Sequence, residues 1–250
     1  MTVYRRPDPI PLRHPATSMS DARSVIGRVR SEPDDLNRLV AREIFQAIVS
    51  GRFTAGTILP NEHQLASDLG VSRTALREAI KGLVAKGMLE TRRKRGTQVL
   101  DQSDWNMLDP DIITWSRRAG HRQVSEELWF TLLATLPELA GEVAARRSAA
   151  KLEVAASDFA DAQTLAVRRE AFTALALDIA CASGNRFLQS VVASCLRSLS
   201  AEDAAFLDQK LAAIAGSAFV GLIAVMRADG KAAASRYMAN LLSEPATVTA

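Results

Sequence analysis

The sequence is poor in the residues that disulfide frameworks and histidine-dependent active sites need. Its 250 residues include only two cysteines, three histidines and 5% aromatic residues. Two cysteines are too few for a disulfide framework, and we expect Cys181 and Cys195 to be reduced core thiols of a cytoplasmic protein. No histidine follows His121. Residues 122–250 therefore lack any Ser/His/Asp or Cys/His pairing, which predicts that the chain is not an enzyme.

The sequence also lacks a long uncharged apolar run, so we expect no membrane span. Its first twenty residues contain four prolines but no apolar stretch of the kind that a secretory signal carries. We therefore predict that residues 1–33 form a disordered basic arm.

Charge is unevenly distributed along the rest of the chain. Residues 34–100 carry 11 basic and 7 acidic side chains, whereas residues 101–250 carry 14 basic and 18 acidic ones. A basic front and an acidic back indicate two domains with different partners. We predict one domain over residues 34–101, a linker with a first helix over 102–121, and a second domain over 122–245.

The front half contains the pattern of two short helices joined by a turn. Apolar spacing predicts a first helix over Glu62–Leu69 that stops at Gly70. Ser72 is a suitable N-cap for a second helix from about Arg73 to Lys86. Two short helices joined through a glycine-containing turn are typical of the helix-turn-helix.

A strand, a basic turn and a second strand are predicted directly after these helices, in "MLETRRKRGTQVL". The basic turn consists of Arg92, Arg93, Lys94 and Arg95. Gly96 follows the turn and allows the positive φ that a tight hairpin needs. Alone, such a charge run is usually a solvated surface. Next to a helix-turn-helix, it would contact the DNA backbone or enter the minor groove.

The second helix is predicted to read base edges in the major groove. Arg73 and Arg77 share one helical face, and an arginine can bond guanine O6 and N7 together. Ser72 and Thr74 can bond phosphate near the helix N-terminus. The alternative is that both arginines are surface charges paired with acidic neighbours. Those neighbours would be Asp68 and Glu78.

The back half shows helical apolar spacing throughout, and its alanine content favours helices. Helices are predicted at about 110–119, 122–147, 150–163, 165–182, 186–199, 203–228 and 230–243. The fold class is therefore mainly α, with a winged helix-turn-helix and small β-hairpin in front and an all-helical bundle behind.

The stretch "GRFTAGTILPNEHQLASDLGVSRTALREAIKGLVAKGMLETRRKRGTQV", residues 51–99, closely resembles the GntR family of bacterial transcription factors. The resemblance implies that Arg73, Arg77 and the wing around Gly96 and Thr97 contact operator DNA. His63 stands where many members have arginine, which implies a weaker, pH-sensitive contact there.

The back half resembles the FadR branch of that family, whose all-helical domain binds effectors and supports homodimers. The resemblance lies in "LAGEVAARRSA" (139–149), "FTALALDIACASGN" (172–185) and "LIAVMRADGKAAASRYMANLL" (222–242). The stretch "WNMLDPDIITW" (105–115) is similar to a motif in members that respond to sugar acids and related carboxylates. Repressor activity is the usual role in the family.

The metal chemistry of that branch is predicted to be absent from this chain. Many members hold a metal through one Asp and three His. The corresponding positions here are Phe172, Ala176, Ala218 and Asn240, none of which is an ordinary transition-metal ligand. An arginine that often binds the effector carboxylate is replaced by Leu133. We therefore expect an effector site without metal and no cofactor.

Polar residues on otherwise apolar helices are the remaining candidates for an effector site. They are Thr135, Thr173, Asp178, Asn185 and Arg197. Ordinary structural roles compete with this hypothesis, since Asn185 can cap a helix and Thr135 can bond its own helix backbone. Two functions stay open. The chain is a regulator controlled by a small metabolite, or it is a DNA-binding dimer whose second domain binds no effector.

Overall fold

The computed structural model describes residues 33–121 and 123–243. The chain divides into two compact units, with the boundary directly after His121. Residues 1–32 of the predicted basic arm lie outside the described residues. So do residues 244 and 245, at the end of the predicted second domain.

The first unit contains four α-helices and a hairpin in its described part. They are α1 (Pro33–Val49), α2 (Glu62–Leu69), α3 (Arg73–Ala85), β1 (Leu89–Arg92), β2 (Gly96–Val99) and α4 (Pro110–Arg118). Helix α3 packs against both α1 and α2. Its buried side chains recur at helical spacing. They are Ala75, Leu76, Ala79, Ile80 and Leu83.

The turn between α2 and α3 confirms the predicted helix-turn-helix. Helix α2 ends at Gly70, whose φ of 67° lies in the left-handed region that favours glycine. The Ser72 side chain accepts a hydrogen bond from the Ala75 amide at 3.1 Å and so caps α3. These two local devices set the directions of both helices.

The hairpin is the wing of this fold. Strands β1 and β2 are antiparallel, with Leu89 opposite Val99 and Arg92 opposite Gly96. The extended piece before α2 joins the far edge of β2, because Ile58 forms an isolated bridge with Gln98. The wing is therefore fixed to the helix-turn-helix from both ends.

The segment after the wing, residues 102–121, belongs to the first unit. Phe45 of α1 packs against Trp105 and Trp115, with ring centroids 6.1 Å and 5.5 Å away. Asp109 caps α4 by accepting from the Asp111 amide at 2.9 Å. The segment predicted as a linker with a first helix thus supplies two aromatic rings to the core around α1.

The second unit is all-helical over its described residues. Its α-helices are α5 (Val124–Ala145), α6 (Glu153–Asp161), α7 (Leu165–Ala182), α8 (Arg186–Glu202), α9 (Ala204–Ala212), α10 (Ala218–Ala228) and α11 (Gly230–Leu242). Helices α5 and α11 pack closely at Gly141, where a Cβ atom would lie 2.3 Å from Ser235 Oγ. By length and hydropathy, α5 could cross a membrane, but half of that stretch is buried inside the unit, as in the core helix of a bundle.

The prediction of one helix over residues 203–228 is wrong. The chain forms α9 and α10 instead, separated by a turn at residues 213–217. Arg168 of α7 donates from Nη2 to the Ile214 carbonyl oxygen at 2.7 Å. A carbonyl that an unbroken helix would pair internally is thus satisfied by a residue 46 positions away.

The preceding helix also ends later than predicted. Helix α8 continues to Glu202 rather than to residue 199. Asp203 then caps α9, accepting from the Phe206 amide at 3.3 Å and from Ser125 Oγ at 2.6 Å. The carboxylate therefore joins the start of α9 to the start of α5.

The two cysteines lie in different surroundings. Cys195 is buried, and burial raises the pKa of its thiol to about 11. Cys181 is exposed, so its prediction as a core thiol is wrong. Position 181 lies on the outer face of α7, which the apolar composition of its neighbours concealed.

Candidate nucleic-acid interface

The N-terminal half of α3 presents a polar, basic face to solvent. Ser72, Arg73, Thr74 and Arg77 are all exposed, while the opposite face of the helix is buried. Ser72 uses an oxygen lone pair to accept from the Ala75 amide, which leaves the hydroxyl hydrogen available as a donor. The exposed face therefore offers two guanidinium groups and two hydroxyl groups.

The two arginines of this face differ in their surroundings. Arg77 Nε donates to Glu62 Oε2 of α2 at 2.7 Å. Within the described part of the chain, Arg73 has no carboxylate partner. Glu78 pairs with Lys81 instead, at 2.8 Å. Arg77 therefore pairs with Glu62 of α2, across the helix-turn-helix, and not with Asp68 or Glu78, its neighbours in the sequence.

The sequence alone does not indicate the Glu62–Arg77 pair. Its partners are 15 residues apart on different helices, and no local pattern marks such a pair. Both side chains are largely open to solvent, with 42% and 62% of their surface exposed. Exposed pairs contribute about 0–1 kcal/mol. The contact therefore orients Arg77 but is too weak to prevent Arg77 from binding a stronger ligand.

His63 lies on α2 beside Glu62, and its side chain is exposed. It therefore lies on the same helix as the carboxylate that orients Arg77. The weak contact of His63 with DNA stays a prediction.

The basic turn forms the tip of the wing. Arg92, Arg93, Lys94 and Arg95 are all exposed. Arg92 Nη2 lies 2.8 Å from Glu90 Oε2, and the hydrogen bond from Arg92 lowers the pKa of the Glu90 carboxyl. Among the described residues, the other three cations have no carboxylate partner. Three of the four charges are therefore directed to solvent alone.

The backbone of the wing tip is held in uncommon conformations. Gly96 has a φ of 90°, which confirms the predicted positive φ, and Lys94 has a φ of 64°. A non-glycine residue in the left-handed region costs about 1–2 kcal/mol. Beneath the tip, the Thr91 and Thr97 hydroxyl groups lie 3.2 Å apart across the hairpin. Thr97 is half-buried, so it supports the wing more than it extends it.

A cluster of charges fixes the C-terminal end of α3. Lys86 Nζ lies 2.8 Å from both Asp109 carboxylate oxygens and 2.9 Å from Asp111 Oδ2. Arg38 of α1 donates from Nε to Asp111 at 2.7 Å. Only 16% of the Lys86 side-chain surface is exposed. The cluster connects α3 with α1 and α4, and the sequence alone did not reveal it.

The charges of this cluster stabilise each other's ionised forms. Burial alone would lower the pKa of Lys86, but the hydrogen bonds and charges of Asp109 and Asp111 outweigh it and raise that pKa. Burial would raise the pKa of Asp111, but Lys86 and Arg38 together lower it. Lys86 and Asp111 are therefore both charged near neutral pH.

Two of the five predicted effector residues bond to their own helices in the structure, and the other three are exposed. Thr135 and Thr173 are half-buried and donate to their own helices, at 2.8 Å to Thr131 O and 2.7 Å to Arg169 O. The other three are Asp178, Asn185 and Arg197, and all are exposed. Asn185 also caps α8 by accepting from the Leu188 amide at 3.1 Å. An effector role for these five residues stays a prediction.

The four positions predicted to correspond to the family's metal ligands hold apolar or exposed side chains. Phe172 and Ala176 are buried, Ala218 is half-buried and Asn240 is exposed. Leu133, which is predicted to replace the family's effector arginine, is half-buried. Within residues 33–121 and 123–243, no group of three or more His, Cys, Asp or Glu side chains is placed to hold a metal ion.

Aromatic rings fill the interior of the second unit around the first of these positions. The Phe172 ring lies 6.1 Å from Trp129 and 5.9 Å from Phe219, measured between centroids. Phe159 meets Phe219 edge to face at 4.7 Å. Such contacts stabilise a core. The Phe172 side chain is therefore part of an apolar cluster.

Comparison with known proteins identifies relatives of the first unit. The family model described as bacterial regulatory proteins, gntR family, matches residues 36–99. The chain is 48% identical over 81 residues to YieP, an uncharacterized HTH-type transcriptional regulator of Escherichia coli K12. It is 38% identical over 68 residues to the galactonate operon transcriptional repressor of the same strain. These matches cover 32% and 27% of this chain, and 35% and 30% of those proteins.

A third relative matches a longer part of the chain. The fatty acid metabolism regulator protein of Yersinia enterocolitica is 34% identical over 146 residues, which cover 57% of this chain and 60% of that protein. Such a match is longer than the first unit and reaches into the second. The chain thus spans less than two thirds of the length of these relatives. All three are named as regulators and none as an enzyme, which agrees with the prediction.

Among solved structures, a GntR protein of Streptococcus agalactiae aligns with 82% of this chain and 96% of its own length. The sequence identity is 23% and the TM-score is 0.43.

Proposed function

We propose that the chain is a cytoplasmic transcriptional regulator, because its residues 36–99 match the gntR family of bacterial regulatory proteins. In this proposal it binds operator DNA as a homodimer and acts as a repressor. A small metabolite in the second unit changes its affinity for DNA. The observation that carries the proposal is the exposed arginine face of α3 beside the basic wing.

In the proposed complex, the start of α3 enters the major groove. Arg73 and Arg77 bond guanine edges, and the hydroxyl groups of Ser72 and Thr74 bond phosphate. His63 on α2 makes a weaker contact at the edge of the same surface. Glu62 orients Arg77 before DNA arrives, which lowers the entropy cost of binding.

The wing supplies the sequence-independent part of the proposed affinity. Arg93, Lys94 and Arg95 neutralise phosphates or enter the minor groove, while Arg92 shares its charge with Glu90. Gly96 and Thr97 hold the tip in shape. Neutralised phosphates release counterions, so the proposed binding weakens steeply as salt rises.

The second unit carries the proposed regulation. Two of the relatives are named for the metabolism of galactonate and of fatty acids, which supports a metabolite as the signal. We propose a small carboxylate, a sugar acid or a related compound, held without a metal. The residues at the family's metal positions support binding without metal, because none of the four side chains is an ordinary metal ligand.

A second function is favoured by the aromatic cluster around Phe172. If Trp129, Phe172 and Phe219 close the interior of the bundle, the second unit would only dimerise and bind no effector. A thermal-shift screen of sugar acids and small apolar acids separates the two functions. A saturable rise in melting temperature supports the regulator, whereas no rise with any acid supports the dimer.

A DNase footprint on the promoter fragment next to the chain's own gene tests the regulator directly. The proposal predicts a protected site with two half-sites about one helical turn apart. Light scattering of the complex is expected to give two chains per site. A single half-site, or uniform protection of the fragment, would contradict the proposal.

A further inference from the structure

The wing carries one acidic side chain beside its basic ones. In the sequence of the hairpin, residues 89–99, Glu90 is the only carboxylate next to a run of four cations. A carboxylate on a surface that is proposed to meet phosphates lowers the positive potential of that surface. Its place in the hairpin decides which cation it affects.

Glu90 and Arg92 lie on the same face of the hairpin. Successive side chains of a strand point to opposite faces, so residues two apart share a face. The cross-strand pair of Leu89 and Val99 is buried, which places Glu90 and Arg92 on the outer face. There, Arg92 Nη2 lies 2.8 Å from Glu90 Oε2, and both side chains are partly open to solvent.

Across the hairpin, Arg92 is opposite a residue without a side chain. This residue is Gly96, and a Cβ atom there would lie only 3.0 Å from Ile58 Cγ2. The Leu59 amide donates to the Thr97 carbonyl oxygen at 2.8 Å, which fixes the neighbouring Ile58 beside β2. An apolar methyl group therefore occupies the space above Gly96, and the polar contact of Arg92 is made along its own strand.

The Glu90–Arg92 pair is ionised but easily exchanged. The hydrogen bond from Arg92 lowers the pKa of the Glu90 carboxyl, so this carboxyl is negatively charged at neutral pH. Water and salt screen an exposed ion pair, which makes it weak. One isolated phosphate attracts Arg92 about as a carboxylate does, whereas a narrow minor groove concentrates negative potential. Arg92 therefore changes partner most readily when the wing lies in a minor groove.

We propose that Glu90 is a specificity-determining residue that keeps Arg92 from DNA until the wing is seated at an operator. In non-specific complexes, Arg92 stays with Glu90 and neutralises no phosphate. At an operator, α3 in the major groove fixes the position of the wing, and Arg92 exchanges Glu90 for the minor groove. This inference rests on the proposed function, because it requires that the wing contacts DNA.

Glu90→Gln in the full chain tests this role, because it keeps side-chain size and releases Arg92. Anisotropy titrations with the promoter duplex and a scrambled duplex measure affinity as a function of salt. For the scrambled duplex, one more neutralised phosphate should steepen the slope of log affinity against log salt by about 0.9. Affinity for that duplex should rise by up to about eightfold at about 100 mM salt. Affinity for the promoter duplex should rise less, so the ratio of the two affinities falls.

Two further variants separate the pair from the charge alone. Asp104→Asn removes one negative charge from an exposed residue outside the wing, and it should leave both slopes unchanged. Arg92→Gln removes the partner of Glu90. In the Arg92→Gln background, Glu90→Gln should no longer steepen the slope, because no arginine is released.

An unchanged slope for the scrambled duplex in Glu90→Gln would overturn the proposal. So would an equal gain in affinity for both duplexes. Equal steepening in the Arg92→Gln background would also overturn it, because Glu90 would then act by repelling phosphates and not through Arg92.

The wild-type titrations separate this inference from the proposed function. If the wild type prefers the promoter duplex but Glu90→Gln gives one of the contrary results, this inference fails and the DNA-binding part of the proposed function stands. If the wild type binds neither duplex, both fail.

Discussion

Arg73 and Arg77 lie one helical turn apart on the exposed face of α3, yet only Arg77 is oriented by a carboxylate. Among the described residues Arg73 has no such partner, so its guanidinium is free to adjust to a base edge. Arg77 begins in one geometry and must exchange Glu62 for DNA. The two arginines therefore contribute differently to recognition.

Arg73→Ala is expected to weaken specific binding by about 1–3 kcal/mol, the usual cost of removing one bidentate arginine–guanine pair, and to relax base preference at one position. Competition with operators that carry single base changes measures both effects. Arg118→Ala, an exposed arginine of α4, is the matched control. Unchanged base preference in Arg73→Ala would contradict the proposed reading role.

Glu62→Gln tests whether the carboxylate positions Arg77. The substitution keeps side-chain size and removes the ion pair, so the free energy of unfolding should change by less than about 1 kcal/mol. The ratio of specific to non-specific DNA affinity should fall, because Arg77 loses its orientation. Anisotropy on operator and scrambled duplexes measures this ratio. Glu153→Gln, whose ion pair with Arg227 lies in the second unit, should leave the ratio unchanged.

At the scale of single elements, α3 is fixed at both ends by different means. Its N-terminus depends on the Ser72 cap, which is local and was predicted from the sequence. Its C-terminus depends on Lys86, which reaches Asp109 and Asp111 more than twenty residues away. The orientation of the exposed face therefore depends on α4 as well as on the turn.

Lys86→Met should destabilise the first unit at pH 7 by about 3 kcal/mol, because two carboxylates are deprived of a largely buried partner. Because the pKa of Lys86 is raised in the folded state, its contribution to the free energy of unfolding is complete below a pH of about 10.4. This contribution is lost as pH rises through the raised pKa. Because the pKa of Asp111 is lowered in the folded state, its contribution to the free energy of unfolding is present above a pH of about 3.9. This contribution is lost as pH falls through the lowered pKa.

Urea unfolding followed by tryptophan fluorescence checks this prediction at pH 7 and pH 3. The cost of Lys86→Met should shrink at the lower pH, because the contribution of Asp111 is lost as pH falls through its lowered pKa. The exposed Lys81→Met should cost less than about 1 kcal/mol at both pH values. An equal cost for Lys86→Met at both pH values would mean that packing, and not charge, anchors α3.

The wing acts through its charge rather than through base-specific contacts. Replacing Arg93, Lys94 and Arg95 with glutamine should weaken binding to all duplexes. It should also reduce the slope of log affinity against log salt by up to about 3, about 0.9 for each phosphate that is no longer neutralised. Titrations between 50 and 200 mM salt measure the slope. A changed order of preference among operator variants would show that the wing reads bases.

At the scale of the whole molecule, the sequence predicted what local signals determine. The Gly70 turn, the Ser72 cap and the glycine of the wing follow from residue chemistry at neighbouring positions, and all three are confirmed. The same signals identified the helices of the second unit, apart from the stretch over residues 203–228.

What the sequence did not predict depends on contacts between distant residues. The break between α9 and α10 contains no proline and is held by Arg168 from another helix. The Glu62–Arg77 pair and the Lys86 cluster likewise join separate elements. The exposure of Cys181 depends on which face of α7 packs inward. The periodicity of apolar residues alone did not indicate any of these features.

The central claim is that the exposed face of α3 gives the chain sequence-specific affinity for DNA. The most direct measurement is the ratio of affinities for the promoter duplex and a scrambled duplex at fixed physiological salt, for wild type and Arg73→Ala. We predict a wild-type ratio of at least about 10³ and at least a roughly fivefold fall of this ratio in the variant. Equal affinities for the two duplexes in the wild type, or an unchanged ratio in Arg73→Ala, would contradict it.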